Sequence, residues 1–290
     1  MNTLTIKSVV TLTVIGDSAA YGIGDEVGGS PRGWAWYLSQ LFYDQCAYQN
    51  FSRPGAQSAE VLELQLPRAL ATEPDICAVI VGGNDLLRNG FSPKNLQENL
   101  RETCAQLMEI GSEVVMIELH DPNQLLRLPR LLKRVLRRRV ESVNNVYYQI
   151  ADELDVLLIR TRAIPDVHSL KNWHIDRMHP GPHGHQILAR EMAEKLRRRG
   201  WSLRLPIVED RKRESSRKQL KWLIANGVPW FAKRSFDLLP AALILMAIEF
   251  LRVIYEIITL QSDSRPLSVQ SFEVKTAGSR NLGAFGAFRS

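Results

Sequence analysis

Four short stretches of the sequence hold residue types that can support nucleophilic chemistry: Gly16-Asp17-Ser18, Gly55, Gly82-Gly83-Asn84-Asp85 and Asp176-Arg177-Met178-His179. A serine hydroxyl is a poor nucleophile at neutral pH and needs a base within hydrogen-bond reach. His179 can take that proton, and Asp176, three residues earlier, can hold the imidazole in the required tautomer. A glycine N–H or the Asn84 amide is a suitable donor to a developing oxyanion. Each residue alone has an ordinary explanation as a cap or turn residue, so the prediction of catalysis depends on their combination.

The first 200 residues must position these stretches, and they alternate β-rich runs with helical patterns. The candidate strands are Thr11–Ile15, Cys46–Asn50, Ile76–Val81, Val114–Leu119 and Val156–Arg160. The candidate helices are Trp34–Asp44, Ser58–Leu70, Pro93–Ile110, Val143–Leu154 and His183–Arg199. Continuous apolar runs are typical of strands buried on both faces of a parallel sheet. The predicted fold class is therefore α/β: a three-layer α/β/α, doubly wound, flavodoxin-like parallel sheet of about five strands. Such a sheet binds its ligands beyond the carboxyl ends of its strands, where the polar stretches lie.

In this order, the four stretches resemble the blocks of the GDSL/SGNH hydrolase family. Glu73-Pro74-Asp75 before the third strand and Gly184-His185 after His179 also look like the family, and the resemblance covers about residues 11–200. The Gly-x-Ser-x-Gly elbow of the α/β-hydrolases is absent, which argues against that separate fold.

The resemblance implies a role for each site residue. Ser18 would be the nucleophile, His179 the base and then the acid, and Asp176 the residue that orients His179. The N–H groups of Ser18 and Gly55 and the side-chain amide of Asn84 would form the oxyanion hole. The implied reaction is cleavage of a carboxylic ester, from a lipid, an acetyl group or a small molecule, through an acyl-serine intermediate and without a cofactor.

Three further residues are candidates for the substrate rim. Asp17 adjoins the nucleophile, and Arg53 stands where the family often has a small residue. His120 follows the fourth strand, although a packing role is the default expectation for such a histidine. The other histidines near His179 have no metal-ligand spacing, so we expect no metal.

A basic segment, Leu125–Val140, interrupts the alternation after the fourth strand and is expected to project from the rim of the site. Its seven lysines and arginines lie among leucines, without an acidic residue. The default interpretation is a solvated helix face. The alternative is a rim helix that attracts anionic head groups or an acyl-carrier partner.

Three domains are expected: the hydrolase domain over residues 1–200, a basic, amphipathic helical extension over 201–260, and a disordered tail over 261–290. Residues 201–290 hold 14 lysines and arginines against 8 acidic residues, a difference equal to the net charge of +6 of the whole chain. Ala241–Leu260 is apolar but contains Glu249, Arg252 and Glu256. Charges in the middle of a span cost about 2.5–3.5 kcal/mol each, which favours a helix lying on a membrane, or packed on protein, over a spanning helix.

Cysteine content and the N-terminus predict a cytoplasmic protein, and the basic segment and the extension add membrane association as an option. Cys46, Cys77 and Cys104 show no paired spacing and are expected to be reduced thiols. No signal peptide is recognised. A small-molecule or lipid ester is the expected substrate, with peripheral membrane contact through residues 125–140 and 238–260 and no nucleic-acid partner. Two alternatives stay open: an acyltransferase or thioesterase with the same triad, and a catalytically silent membrane-associated module.

Overall fold

The computed structural model describes residues 9–27, 30–88, 90–126 and 128–208, together with Ala247 and Leu251. The strands are β1 (Val9–Gly16), β2 (Glu26–Val27), β3 (Ser30–Pro31), β4 (Gln45–Asn50), β5 (Ile76–Ile80), β6 (Glu113–Ile117) and β7 (Leu157–Ile159). The helices are α1 (Ser18–Tyr21), α2 (Gly33–Ser39), α3 (Ser58–Glu60), α4 (Leu66–Leu70), α5 (Pro93–Glu109), α6 (Arg130–Leu154) and α7 (Pro182–Arg198).

The central sheet has the order β4-β1-β5-β6-β7, and all of its strand pairs are parallel. β2 and β3 form a separate two-stranded antiparallel ribbon. Chain order reverses between β1 and β5, which is the point where doubly wound sheets bind their ligands. β5 is buried at every residue, as expected of a strand covered on both faces. The predicted fold class is confirmed.

Two apolar cores separate the sheet from its helices. On one face, α3, α4, α5 and α6 pack through residues such as Leu66, Leu100 and Val143. On the other face, α2 and α7 pack through Trp34, Leu38 and Met192. The result is the α/β/α sandwich that the alternating pattern predicts. Within the described residues all three cysteines are free, and Cys77 and Cys104 are buried.

The predicted break between the basic segment and the next helix is wrong. Arg130–Leu154 is one helix of 25 residues, so residues 130–140 are its first half and not a separate projection. The physical reason is that the buried positions Val135, Val140 and Val143 continue a single apolar face. Arg139 points inward as well, and its guanidinium donates to the backbone oxygens of Leu86 and Arg88.

The predicted helix over Trp34–Asp44 is also too long, since α2 ends at Ser39. The predicted helix over Ser58–Leu70 has the right extent but contains a π-helical stretch, Val61–Gln65, between α3 and α4. π-Turns often occur at functional sites because they re-aim side chains. Here Gln65 at the end of the π stretch accepts from Gly16 N–H at 2.7 Å and donates to Gly16 O at 3.0 Å. A helix thereby holds the backbone at the end of β1.

Asn144 on α6 holds the end of β6 in the same way. Its side chain is 1% exposed, accepts from Leu119 N–H at 2.9 Å and donates to Leu119 O at 2.9 Å. Neither contact has a signal in the sequence, because a single polar residue in a helical pattern does not indicate which strand it meets.

The packed region continues past the end of α7. Leu203 is 1% exposed and forms an antiparallel bridge with Phe42. No helix among the described residues is long and apolar enough to cross a membrane. From residue 209 onward, the predicted extension over residues 201–260 and the tail over residues 261–290 lie, apart from two isolated positions, outside the described residues.

The Asn144 contact predicts a position-specific loss of stability. Asn144→Ala leaves the N–H and C=O of the partly buried Leu119 without these partners, and each unsatisfied group costs up to about 1–3 kcal/mol. We expect the free energy of unfolding in urea to fall by about 2–4 kcal/mol. Asn145→Ala is the matched control, because the next residue along the helix is exposed; its effect should stay within about 0.5 kcal/mol. Equal losses in the two variants would contradict the role assigned to Asn144.

Candidate active site

Ser18 stands where β1 ends and α1 begins. The turn requires a glycine at position 16, because its φ is +144° and a Cβ there would lie 1.9 Å from Ile80 O. Asp17 is the N-cap of α1, and its Oδ1 accepts from Ala19 N–H at 2.9 Å. Asp17 therefore caps α1, and the same turn places Ser18 at the carboxyl edge of the sheet.

His179 lies in a tight loop ahead of α7. His174 N–H donates to His179 O at 2.9 Å, and Arg177 N–H donates to His174 O at 3.0 Å. Asp176 Oδ1 accepts from the N–H groups of Met178 and His179 at 2.8 and 3.0 Å. The spacing of three residues between Asp176 and His179 closes this turn, which fixes the carboxylate and the imidazole relative to each other.

The loop places His179 between a serine and a carboxylate. Ser18 Oγ lies 2.7 Å from His179 Nε2, and Asp176 Oδ2 lies 2.9 Å from His179 Nδ1. With the proton of the neutral ring on Nδ1, that N–H donates to Asp176 and Nε2 accepts from the serine hydroxyl. The structure brings together all three residues of the predicted triad, although 161 positions separate Ser18 from His179.

Burial by itself raises the pKa of the Asp176 carboxyl. The contacts from His174 and His179 outweigh that effect and hold the pKa well below its ordinary value. Asp176 is therefore ionised at neutral pH and can stabilise a protonated His179.

Asn84 follows β5 and lines the same site as Ser18. One N–H of its amide donates to Ala56 O at 3.1 Å, which leaves the second N–H of the same amide to donate elsewhere. Ala56 adjoins Gly55, so this bond links two of the three residues predicted to form the oxyanion hole, Gly55 and Asn84. Gly55 is in a turn with φ +90° and does not line the cavity itself.

Asp85 has no role that the sequence reveals, but in the structure it ties the Gly82–Asp85 stretch to the start of α3. Its carboxylate accepts from Ser58 N–H at 3.1 Å and from Ser58 Oγ–H at 2.6 Å. The aspartate beside Asn84 therefore has a structural use at the start of α3.

An apolar cavity of about 220 Å³ opens beside Ser18 and His179. It runs along the carboxyl edge of the sheet, and α6 contributes part of its wall. Its apolar lining includes Ile117, Leu126, Leu136, Val140, Ile164 and Leu188. Gly82 is required near this wall, because a Cβ there would lie 2.7 Å from the hydroxyl of Tyr147. The basic segment thus contributes to the cavity with its apolar side.

The three predicted rim residues have different positions. Asp17 and His120 line the cavity, whereas Arg53 does not. The Arg53 side chain is 65% exposed, and its guanidinium pairs with Glu60 on α3. The prediction of an arginine at the lip of the site is wrong, because the nearby carboxylate holds that side chain on the outer surface.

Burial is the main influence on the pKa values of two histidines near the site, His120 and His185. It lowers the pKa of His120 to about 3, with a further contribution from His168 and His179, and the ring stacks against Trp173 with centroids 4.0 Å apart. Burial also lowers the pKa of His185 to about 4. His185 is a core residue, because Nδ1 accepts from Trp34 N–H at 3.1 Å and Nε2 donates to Ile23 O at 3.0 Å. Across the described ranges no three His, Cys, Asp or Glu side chains are grouped so that they could hold a metal ion.

Asp17 is 5% exposed, and burial raises its pKa to about 6; the Ala19 N–H and His179 oppose that shift, and Asp85 adds to it. Between the ordinary value and about 6, the folded state holds a proton that the unfolded state has lost, so stability falls as pH rises through this window. Asparagine caps a helix as well as aspartate does. We therefore expect Asp17→Asn to raise the free energy of unfolding by about 2–3 kcal/mol above pH ~6.5 and by much less near pH ~4. Urea unfolding at the two pH values measures the difference, and a gain that is independent of pH would contradict this explanation.

Comparisons with known proteins agree with the fold. The crystal structure of TesA is 25% identical to this chain, with a TM-score of 0.51 over 65% of this chain and 98% of that one. The esterase EstA from Pseudoalteromonas sp., inhibited by monoethylphosphonate, is 21% identical, with a TM-score of 0.52 over 65% and 97% of the two chains. The acetylxylan esterase Axe2 from Geobacillus stearothermophilus is 20% identical, with a TM-score of 0.52 over 64% and 94%. No match is found among curated proteins.

The model of the GDSL-like Lipase/Acylhydrolase family matches residues 14–187, which is more than half of the chain. That range begins within β1 and ends within α7, so it includes Ser18, Asn84, Asp176 and His179. The chain belongs to the GDSL-like lipase/acylhydrolase family.

Proposed function

We propose that the protein is a serine hydrolase that cleaves carboxylic esters with an apolar acyl group through an acyl-serine intermediate. The observation that carries this proposal is the 2.7 Å contact of Ser18 Oγ with His179 Nε2 at an apolar cavity. A nucleophile paired with a base beside a carboxylate fits acyl transfer to serine. The apolar wall fits the acyl part of the substrate better than a sugar or a charged group.

In the first half of the reaction, Ser18 Oγ attacks the ester carbonyl while His179 Nε2 takes the hydroxyl proton. The imidazolium that forms is stabilised by Asp176 at Nδ1. The tetrahedral oxyanion accepts hydrogen bonds from the second N–H of Asn84 and from the N–H groups of Ser18 and Gly55. His179 then gives its proton to the leaving alkoxide, and the acyl group stays on Ser18.

In the second half, His179 takes a proton from the water that attacks the acyl-serine. It returns this proton to Ser18 Oγ as the acyl–oxygen bond breaks, which releases the carboxylic acid and restores the free enzyme. An acceptor alcohol or thiol in place of water would give acyl transfer instead. The triad is the same in both cases, so the products distinguish the hydrolase from the transferase.

The cavity volume indicates the size of the acyl group. At about 220 Å³ it is smaller than the roughly 300–1,000 Å³ of pockets for drug-sized ligands. A short or medium acyl chain in this space would contact Leu136 and Val140 of α6.

Ser18→Ala tests the nucleophile. With p-nitrophenyl esters of increasing acyl length as substrates, we expect kcat to fall by about four orders of magnitude or more, because the covalent step is lost. Labelling by a fluorophosphonate probe should disappear in the same variant.

Ser142→Ala is the control, since that hydroxyl donates to Arg138 O within α6; activity and labelling should be unchanged. Activity that survives Ser18→Ala would contradict the assigned nucleophile. A folded wild type without activity or labelling would favour the silent module, and an ester or thioester product formed with an added acceptor would favour the transferase.

Leu136→Trp tests the cavity as the acyl site. The larger side chain fills part of the space, so kcat/KM for an octanoyl ester should fall by about 10–100-fold, while the acetyl ester is nearly unaffected. A loss of this size corresponds to about 1.4–2.7 kcal/mol of transition-state binding. Arg137→Trp is the matched control, because the adjacent side chain is exposed and does not line the cavity. An equal loss for all chain lengths would place the acyl group elsewhere.

A further inference from the structure

A second histidine contacts the carboxylate of Asp176. His174 Nδ1 lies 3.0 Å from Asp176 Oδ2, the same oxygen that His179 Nδ1 meets at 2.9 Å. From the sequence, His174 is only a loop histidine, and its spacing from the other histidines is not that of metal ligands. In the proposed mechanism the Asp176 carboxylate only orients His179. The contact of the His174 ring with the same oxygen therefore needs an explanation.

The backbone fixes both rings on this oxygen. His174 and His179 are joined by the bond from His174 N–H to His179 O, and their neighbours Trp173 and Pro180 form an antiparallel bridge. All three side chains are partly buried, with exposed fractions of 19% for His174, 15% for His179 and 20% for Asp176. Local hydrogen bonds therefore set the contact, and it does not depend on a mobile surface side chain.

The carboxylate then meets four nitrogen atoms. Oδ1 accepts the two backbone N–H groups of Met178 and His179, and Oδ2 lies between the two imidazoles. With all four contacts in place the carboxylate cannot rotate about its last bond without losing one of them. His174 also opposes the effect of burial on the charge of Asp176, since its ring is among the causes that lower the pKa of that carboxyl.

We propose that His174 is a positioning residue, which holds Oδ2 of Asp176 in line with Nδ1 of His179 and shares the negative charge of that carboxylate. The inference rests on the proposed function, because it concerns the same triad. Among the described residues His174 does not line the cavity, so we expect it to act on the reaction through Asp176.

Sharing the carboxylate has a consequence for the pH dependence of the reaction. The titratable groups that the structure places near His174 are Asp176 and His179 in its own loop and His185 of α7, and Asp25 after α1 also acts on His185. The 3.0 Å contact of His174 Nδ1 places a second imidazole beside the charge on Oδ2 that faces His179. In His174→Phe the charge on Oδ2 would face His179 alone, and the pH dependence of the variant tests this.

Two substitutions distinguish the effect of the His174 N–H group from that of the size of its ring: His174→Phe and His174→Asn. Phenylalanine keeps a ring of similar size but cannot donate, and we expect kcat on a p-nitrophenyl ester to fall about tenfold with little change in KM, as for loss of a hydrogen bond to a charged group. The acid limb of the kcat/KM profile, which reports the base of the free enzyme, should move to higher pH. The asparagine side-chain N–H can replace Nδ1–H, so His174→Asn should recover most of kcat.

The same substitution in an Asp176→Asn background tests the path through Asp176. There His174→Phe should cost nothing further, since groups that act as one unit are not additive. His168→Phe, a change to a histidine earlier in the same loop, should leave the acid limb where it is. Wild-type kcat and an unshifted acid limb in His174→Phe would overturn the proposal, and so would an equal loss in both backgrounds.

A measurement without turnover keeps this proposal separate from the proposed function. The protonation of His179 can be followed by NMR of the ring nitrogens in the wild type and in His174→Phe. We expect the midpoint of that titration to move to higher pH in the variant, even if no tested ester is cleaved. An unchanged midpoint would overturn the role of His174 and leave the esterase proposal standing, whereas a shifted midpoint in an inactive wild type would contradict only the esterase proposal.

Discussion

The site depends on one constraint, which is that all five strands of the central sheet are parallel. Their carboxyl ends therefore meet at one edge, and whatever follows β1, β5 and β6 is brought together there. Ser18 follows β1 directly and Asn84 comes soon after β5, while the loop with His179 packs against the same edge ahead of α7. The close approach of Gly16 to Ile80 O, which leaves no room for a Cβ, shows how tightly the first two of these elements must pair.

Two carboxylates near the nucleophile have opposite electrostatic surroundings. Asp176 meets four nitrogen atoms, and its pKa is held well below the ordinary value despite its burial. Asp17 accepts from Ala19 N–H, which does not outweigh burial, and its pKa rises to about 6. The surroundings of Asp176 favour its negative charge, whereas burial disfavours the charge of Asp17, so Asp176 is the carboxylate better suited to stabilise an imidazolium. Asp17 adjoins the serine, but its environment fits a helix cap and not a second orienting residue.

The order of elements was predicted from local signals, and the triad was predicted from the resemblance of four short stretches to a known family. Apolar runs mark the strands, and the spacing of Asp176 and His179 closes a short turn that needs no distant contact. The contacts of Gln65 and Asn144 were not predictable, because each depends on which backbone group a distant helix meets. Arg53 was misplaced for the same reason: nothing in the sequence shows that Glu60 lies within reach of its guanidinium. His174 was overlooked because its sequence position gives no sign that its ring shares the oxygen that His179 uses.

The charges of the basic segment drew attention away from its apolar residues, which line the cavity. Its arginines and lysines favoured a solvated or membrane-facing helix, and contact with an anionic membrane through residues 125–140 and 238–260 stays a prediction. Its apolar positions, however, form the wall of the cavity, and Arg177 of the loop before His179 donates to Leu125 O at 3.2 Å. The strands and turns that hold the triad leave little freedom, since a side chain at Gly16 or a change at Asp176 would break the geometry. Leu136 is only partly buried and lies on α6, outside those turns, so the choice of acyl group is expected to depend on α6 more than on the triad.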